Sequence, residues 1–296
     1  MKRNIIKAAF ISLFMFASNA MAQINPFDAM FFGNGYIANP AMAGFSEGAR
    51  LNVGYRNQWS NVPGSPRMQH IMYDVQSNRI GFGARVYNNR EGDINQTRVS
   101  GAMAFHLPIS DYGRQIHFGL NVGAQAGSYD MQGLVGNVND PSVIAFNDRG
   151  TQFDGDFGMA YTSERLSMEF AVYNVLDQIS KDDDNFADFN TFYSAVGYKF
   201  PMENWKLNTK IAYRGVRNYT NIVDMGMEFK TNNDKLGFTG IYHTNKSATF
   251  GLSYLHQEKW EITGFYNTTA NPISNAANGV FEVALQIHLS KARLKL

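Results

Sequence analysis

The chain has no cysteine among its 296 residues. That excludes disulfides, thiolate metal sites, c-type haem attachment and a lipidated N-terminal cysteine. It is also short of charge: 17% of residues are charged, against roughly 25% in soluble domains. Lys and Arg number 26 and Asp and Glu 25, so the formal net charge is +1. Such a balance gives no basic footprint for nucleic acid and no acidic tail. Beyond the N-terminus no run approaches about 18 consecutive apolar residues, which excludes membrane-spanning helices. There is no Gly-x-x-x-x-Gly-Lys phosphate loop, and Gly81-Phe82-Gly83 lacks the strand-to-helix context of a nucleotide site. What the chain does have is 14% aromatic residues and 27 glycines at a mean hydropathy of −0.30. This composition suits a large soluble β-protein or a transmembrane barrel.

The first residues read as an export signal. Lys2, Arg3 and Lys7 form a basic region, Ala8 to Phe16 an apolar core, and Ala20-Met21-Ala22 a small-residue cleavage site before Gln23. The apolar run ends at Ser18 and Asn19, too short to cross about 30 Å of hydrocarbon. Residues 1–22 are therefore expected to be removed by cleavage after Ala22.

From Gly48 onward apolar residues alternate with polar or small ones, the period of a strand with two different faces. In Lys206 to Gly215, Leu207, Thr209, Ile211 and Tyr213 share one face while Lys206, Asn208, Lys210, Ala212 and Arg214 share the other. Ile116, Phe118, Leu120 and Val122 likewise oppose His117, Gly119, Asn121 and Gly123. Strands are expected at 48–59, 68–78, 79–88, 96–107, 114–129, 152–162, 165–174, 188–200, 204–215, 221–230, 234–243, 246–256, 258–268 and 278–289. Connections after even strands are short, as at Asn78-Arg79 and Ser163-Glu164. Those after odd strands are mostly longer: Ser60 to Arg67, Asn89 to Asn95, Asp130 to Thr151, Val175 to Ala187 and Thr269 to Ala277, with Thr244-Asn245 the exception. Short turns on one side and long loops on the other predict an all-β transmembrane antiparallel barrel of about fourteen strands, both termini periplasmic. Interfacial aromatic girdles are expected from Trp59, Tyr87, Tyr129, Tyr173, Tyr213 and Tyr266 at the outer ends, and Tyr112, Tyr161, Phe200, Trp205 and Trp260 at the inner ends.

Three stretches carry a family resemblance: Phe27-Asp28-Ala29-Met30, Asn39-Pro40-Ala41-Met42-Ala43-Gly44 and Tyr55-Arg56-Asn57-Gln58-Trp59. A Pro-containing loop, Asn61 to Pro66, and a strand with Tyr73-Asp74 follow. The chain resembles the PorP/SprF family over roughly residues 25 to 85. The resemblance implies an outer-membrane barrel of the type IX secretion and gliding machinery of Bacteroidetes, partnered with secreted adhesins or periplasmic machinery. The C-terminus departs from many outer-membrane barrels, because Lys291 to Leu296 stands where a terminal aromatic residue is common.

The reading divides the chain into the signal (1–22), an N-terminal plug or periplasmic segment (23–47), the barrel (48–290) and a short basic tail (291–296). The segment 23–47 is rich in Gly, Asn and Pro yet carries Phe27, Met30, Phe31, Phe32, Tyr36 and Phe45. It either folds into the lumen or docks a partner as an arm, with the Asn39-Pro40 turn placing Ala41 to Gly44 before the first strand. Asn39, Pro40, Ala41, Gly44, Tyr55, Arg56, Gln58 and Trp59 are the candidate motif and plug-contact residues, with Arg56 and Gln58 facing the lumen and Trp59 the membrane interface. Inward faces carry both signs of charge: Arg50, Arg56, Arg85, Arg98, Asp154, Asp156, Glu169, Lys199, Lys210, Arg214, Asp224, Glu228 and Glu282. Mixed signs predict a paired lattice that fills the bore; a selective pore gathers one sign.

In the long third loop, Met131, Leu134, Val138, Val143, Ile144 and Phe146 are candidates for a partner-binding surface or an inward lid. Asp182-Asp183-Asp184 lacks an ordered calcium-loop pattern and reads as a solvated charge run. The six histidines, His70, His106, His117, His243, His256 and His288, show no zinc-ligand spacing, and only His243 lies where barrel hydrolases keep catalytic groups. No catalytic, metal or cofactor site is expected. The expected function is non-enzymatic: an outer-membrane component of type IX secretion and gliding that binds a secreted or surface-anchored protein or a machinery partner. The alternative is a porin or small-molecule transporter.

Overall fold

The structure, a computed structural model, describes residues 29–46, 48–130, 141–148, 150–176, 190–216, 221–268 and 277–289. The signal 1–22, Met131, Leu134, Val138, Asp182 to Asp184 and the tail 291–296 lie outside the described residues.

Fourteen strands close into one antiparallel barrel in sequence order. They are β1 (Ala49–Gln58), β2 (Arg67–Ser77), β3 (Ile80–Glu91), β4 (Ile94–Pro108), β5 (Gln115–Tyr129), β6 (Thr151–Thr162), β7 (Leu166–Val172), β8 (Asn190–Pro201), β9 (Trp205–Val216), β10 (Ile222–Thr231), β11 (Leu236–His243), β12 (Ser247–His256), β13 (Trp260–Asn267) and β14 (Val280–Leu289). Closure is made by β1 against β14, from Ala49↔Leu289 to Gln58↔Val280. No helix of the described residues is long and apolar enough to cross a membrane. Before β1 come a 3-10 turn (Ala29–Phe32), the one-turn helix α1 (Gly35–Ala38) and a second 3-10 turn (Pro40–Met42). A helix α2 (Pro141–Asp148) precedes β6.

The two-residue period decides the faces. In β5, Phe118, Leu120 and Val122 are exposed, Val122 by 67%, while His117, Gly119 and Asn121 are buried. In β9, Ile211 and Tyr213 are exposed and Ala212 and Arg214 buried. The barrel is thus apolar outside and polar inside, the reverse of a soluble core and the arrangement lipid requires.

Two expectations need correction. The stretch Asn89 to Asn95 is no long loop: β3 and β4 run on to Glu91↔Ile94, joined through Gly92 and Asp93. Polar side chains hold this extension, since the Asn88 amide donates to Asn95 Oδ1 (2.8 Å) and Thr97 Oγ1 (2.9 Å). The girdle at the loop end is also thinner than expected. Tyr87 falls on the inward register with His70 and Arg98, and Tyr129 packs on Phe146 at 6.4 Å. Tyr173 turns into the lumen and is buried. Tyr213, Tyr266, Trp205 and Trp260 keep exposed outward positions.

Leu120→Arg, at an exposed position on the apolar band, should destabilise the barrel by about 2–4 kcal/mol. Urea titration in lipid vesicles, read by heat-modifiable migration, checks this.

Candidate functional site

The described part of the N-terminal segment, residues 29–46, lies inside the barrel. Its own polar residues shape it. Asn34 caps α1 by accepting from the Tyr36 amide at 3.2 Å. Asn39 accepts from the Ala41 amide at 2.9 Å, and Pro40 occupies the first position of the following turn, where its missing N–H costs nothing.

The wall receives this segment in a trough of small residues. Gly81, Ala104, Gly119, Gly158 and Ala171 stand side by side across β3 to β7 in successive registers. A Cβ at Gly81 would overlap the Ala43 carbonyl, one at Gly119 the Pro40–Ala41 peptide, and one at Gly158 the Asn39 side-chain oxygen. Gly83 likewise makes room for the Tyr36 ring and Gly226 for Phe32. Gly44 is required twice over, because its φ is +64° and a Cβ would press on the Val75 carbonyl.

Directional bonds then tie the plug to strands all round the bore. Glu282 of β14 accepts from the Met30 amide (3.2 Å), and Asp74 of β2 from the Gly44 amide (3.0 Å). Arg85 of β3 donates to the Ile37 carbonyl (3.3 Å), and Lys210 of β9 to the Phe31 carbonyl (3.4 Å). The Asn39 amide donates to the Met159 carbonyl of β6 (3.1 Å), and the Tyr173 hydroxyl to the Ala38 carbonyl. Lys210 also lies over the rings of Phe31 and Phe32, 5.8 and 5.6 Å from their centroids. Phe31 is buried to 1% exposure, worth roughly 1.5–3 kcal/mol. Burial pushes the Tyr36 phenol up to about 12, against the pull of the Arg85 guanidinium, so the ring stays neutral.

Lumen charges are paired. Arg50 meets Asp74 at 2.6 Å; Arg98 and Arg85 meet Asp156 at 3.2 and 3.8 Å; Lys210 meets Glu169 at 3.4 Å; Lys230 meets Glu261 at 3.1 Å. Arg214, fully buried, forks onto both oxygens of Asp224 at 2.6 and 2.8 Å. Lys199 differs, being exposed near the turn end.

Two of the histidines, His106 and His117, face each other across the β4–β5 hairpin and form a bonded pair. His106 Nε2 faces the Ala43 carbonyl (3.0 Å), so it must donate, leaving its Nδ1 as acceptor. His117 Nδ1 therefore donates to His106 Nδ1 (2.8 Å), and its Nε2 accepts from the Thr162 hydroxyl (2.8 Å). Sequence reading also missed a second chain. His243 Nδ1 meets Asp224 Oδ1 at 2.6 Å, and its Nε2 meets Thr249 Oγ1 at 2.8 Å. The order Asp, His, hydroxyl is that of a triad. However, Arg214 already engages Asp224, and Thr249 is fully buried, so no substrate reaches its oxygen. Three strands contribute to this chain, and only their register brings them together.

Of the candidate residues, Asn39, Pro40, Ala41 and Gly44 belong to the plug itself. Arg56 and Gln58 are buried on the lumen face, Arg56 Nη2 donating to Gln58 Oε1 at 3.4 Å. Arg56 stands in register with Glu282, the plug's acceptor on β14. Tyr55 points to the lipid side, 40% exposed. Trp59 ends β1 in a left-handed conformation (φ 54°) and is partly exposed at the loop end. On α2, Phe146 packs against β5 beside Gly127, Val143 is half-buried and Ile144 is exposed.

A closed antiparallel barrel with an apolar outer band and a polar, plugged lumen is an outer-membrane type of β-barrel. Solved structures of the same fold include the Acinetobacter baumannii outer membrane protein Omp33, 8% identical with TM-score 0.50, covering 83% of this chain and 100% of that one. They also include the Ralstonia pickettii toluene transporter TbuX, 12% identical with TM-score 0.52, covering 85% and 92%. The Pseudomonas putida toluene transporter TodX is 11% identical with TM-score 0.51, covering 86% and 92%. No curated protein matches. The family model of the type IX secretion system membrane protein PorP/SprF matches residues 20–287, and the chain belongs to that family.

Gly158→Leu should unseat the plug and leave the barrel closed, so that protease cuts within residues 29–46 while heat-modifiable migration persists. Asn39→Ala, which orphans the Ala41 amide, should weaken seating by about 1–3 kcal/mol in the same assay. Asp224→Ala strands the buried Arg214 charge and should cost about 3–5 kcal/mol in urea unfolding.

Proposed function

We propose that the chain acts in the outer membrane as a plugged barrel of the type IX secretion and gliding machinery. It binds a secreted or surface-anchored protein, or a machinery partner, without covalent chemistry or a cofactor. The single observation that carries this reading is the seating of residues 29–46 in the trough, where side chains of β14, β2, β3, β4 and β9 bond to them. Solute passage along that path would have to break several buried ion-assisted bonds at once, whereas binding at the rims leaves them intact. Both termini on the periplasmic side and cleavage after Ala22 complete the reading, since the shorter turns then face the periplasm. On the opposite rim Ile144, exposed on α2, is the described apolar residue of the third loop free to meet a partner.

The test is gentle detergent extraction of the tagged chain from its native membrane, mass spectrometry of stoichiometric companions, and solute uptake in liposomes by the purified protein. One exported protein or secretion subunit retained, together with uptake near that of empty liposomes, is the expected result. A chain that purifies alone and admits solutes would make it a porin or transporter.

A further inference from the structure

The lipid-facing side of β11 to β14 and β1 contains a defect in an otherwise bulky band. Across these strands the outward row reads Phe238, Leu252, Gly264, Val283 and Tyr55 in successive registers. The next row towards the loop end reads Gly240, Phe250, Tyr266, Phe281 and Asn57. A Cβ at Gly264 or at Gly240 would meet nothing within 4 Å, so neither glycine serves to admit a neighbouring group. In the lumen the glycines of the trough do the opposite. Gly264 lines a groove of about 890 Å³, inside the range of small-molecule sites, and its missing side chain deepens it. Its walls include Phe250, Leu252, Phe281 and Val283, each more than half exposed. Tyr266 and Phe281, with ring centroids 5.0 Å apart, form a ridge above Gly264.

Polarity changes along the groove. Its loop end reaches Asn57 and Ser60, the latter's hydroxyl accepting from the Asn278 amide at 2.7 Å. Ser60 stands two residues beyond the end of β1, and from Gln58 down to the Tyr55 row is three residues, roughly 10 Å at about 3.3 Å per residue. A slot one residue wide, polar at the membrane interface and lined by aromatic and aliphatic side chains below, has the outline of an amphiphile. The strands that form it are paired on both sides over this stretch, so they offer no free main-chain edge for an added strand. The band around it faces hydrocarbon, and what arrives from there is a flexible acyl chain.

We propose that this groove binds one membrane lipid, its acyl chain lying over Gly264 between Leu252 and Val283 and its headgroup at Ser60 and Asn57. The site is separate from the plug and from any protein partner at the rims.

The test uses the full chain folded in vesicles of phosphatidylethanolamine and phosphatidylglycerol, extracted in mild detergent and examined by native mass spectrometry. Wild type should retain one lipid. Gly264→Leu, which fills the slot, should lower the retained fraction about tenfold, equivalent to about 1.4 kcal/mol. Gly101→Leu is the matched control, because Gly101 also faces outward, between Ala84 and Val122, but lies outside the groove, and it should retain lipid as wild type does. Val283→Phe is a second filling variant, in case Gly264→Leu fails to fold, and should behave the same way. Absence of retained lipid in wild type, or retention in both filling variants equal to that of wild type, would overturn the proposal.

Discussion

The depth at which the plug can sit is set by the row of small residues from Gly81 to Ala171, and the rest of the lumen follows from it. Backbone carbonyls and amides of residues 29–46 come close enough to the wall to meet side chains of β2, β3, β4, β9 and β14 because nothing larger than a methyl group stands in that row. A buried backbone without partners would be costly, since each unsatisfied group forfeits about 1–3 kcal/mol. The trough therefore does more than make space. It lets an irregular, Pro- and Gly-rich segment bond its backbone to the wall at Met30, Phe31, Ile37, Ala38, Ala43 and Gly44.

The charge lattice answers the same need at longer range. Arg50, Arg85 and Lys210 each serve a carboxylate and also lie beside the plug backbone or its carboxylate acceptor. Removing one partner would leave a charge stranded in a site of low dielectric, which explains how mixed signs coexist in so narrow a bore. The His106–His117 chain extends this logic to uncharged groups. In the Thr162–His117–His106–Ala43 chain every donor has one acceptor, and the plug carbonyl is the terminus that orients both rings.

The strands were legible because their two faces differ chemically: Leu207, Ile211 and Tyr213 against Lys210, Ala212 and Arg214 could pair in no other way across a membrane. Where the apolar face stops, the signal stops too, and so Asn89 to Asn95 read as a loop although asparagine side chains bridge the strands there. Tyr87, Tyr129 and Tyr173 stand near strand ends, where aromatic residues suit an interfacial girdle; counting their parity from His70, His117 and Ala171 turns all three inward. The motif Asn-Pro-Ala-Met-Ala-Gly marked the plug residues, but composition could not say whether they point into the bore or out of it. Their destination was written instead in the inward glycines, Gly81, Gly119 and Gly158, whose meaning depends on which strands are neighbours. The same limit hid the chain from Asp224 through His243 to Thr249, which exists only once β10, β11 and β12 are in register.

One bond in the lumen has a consequence for the order of assembly. The Met30 amide is held by Glu282, 252 residues away in sequence, on the strand that closes the barrel against β1. Contacts of such separation form late, because the intervening chain must be ordered before they are rewarded. The first residues of the plug therefore lack their final partner until the last strand is in place. Closure of the wall and completion of the interior are one cooperative event, and a chain truncated before β14 would have an incompletely fastened interior as well as an open seam.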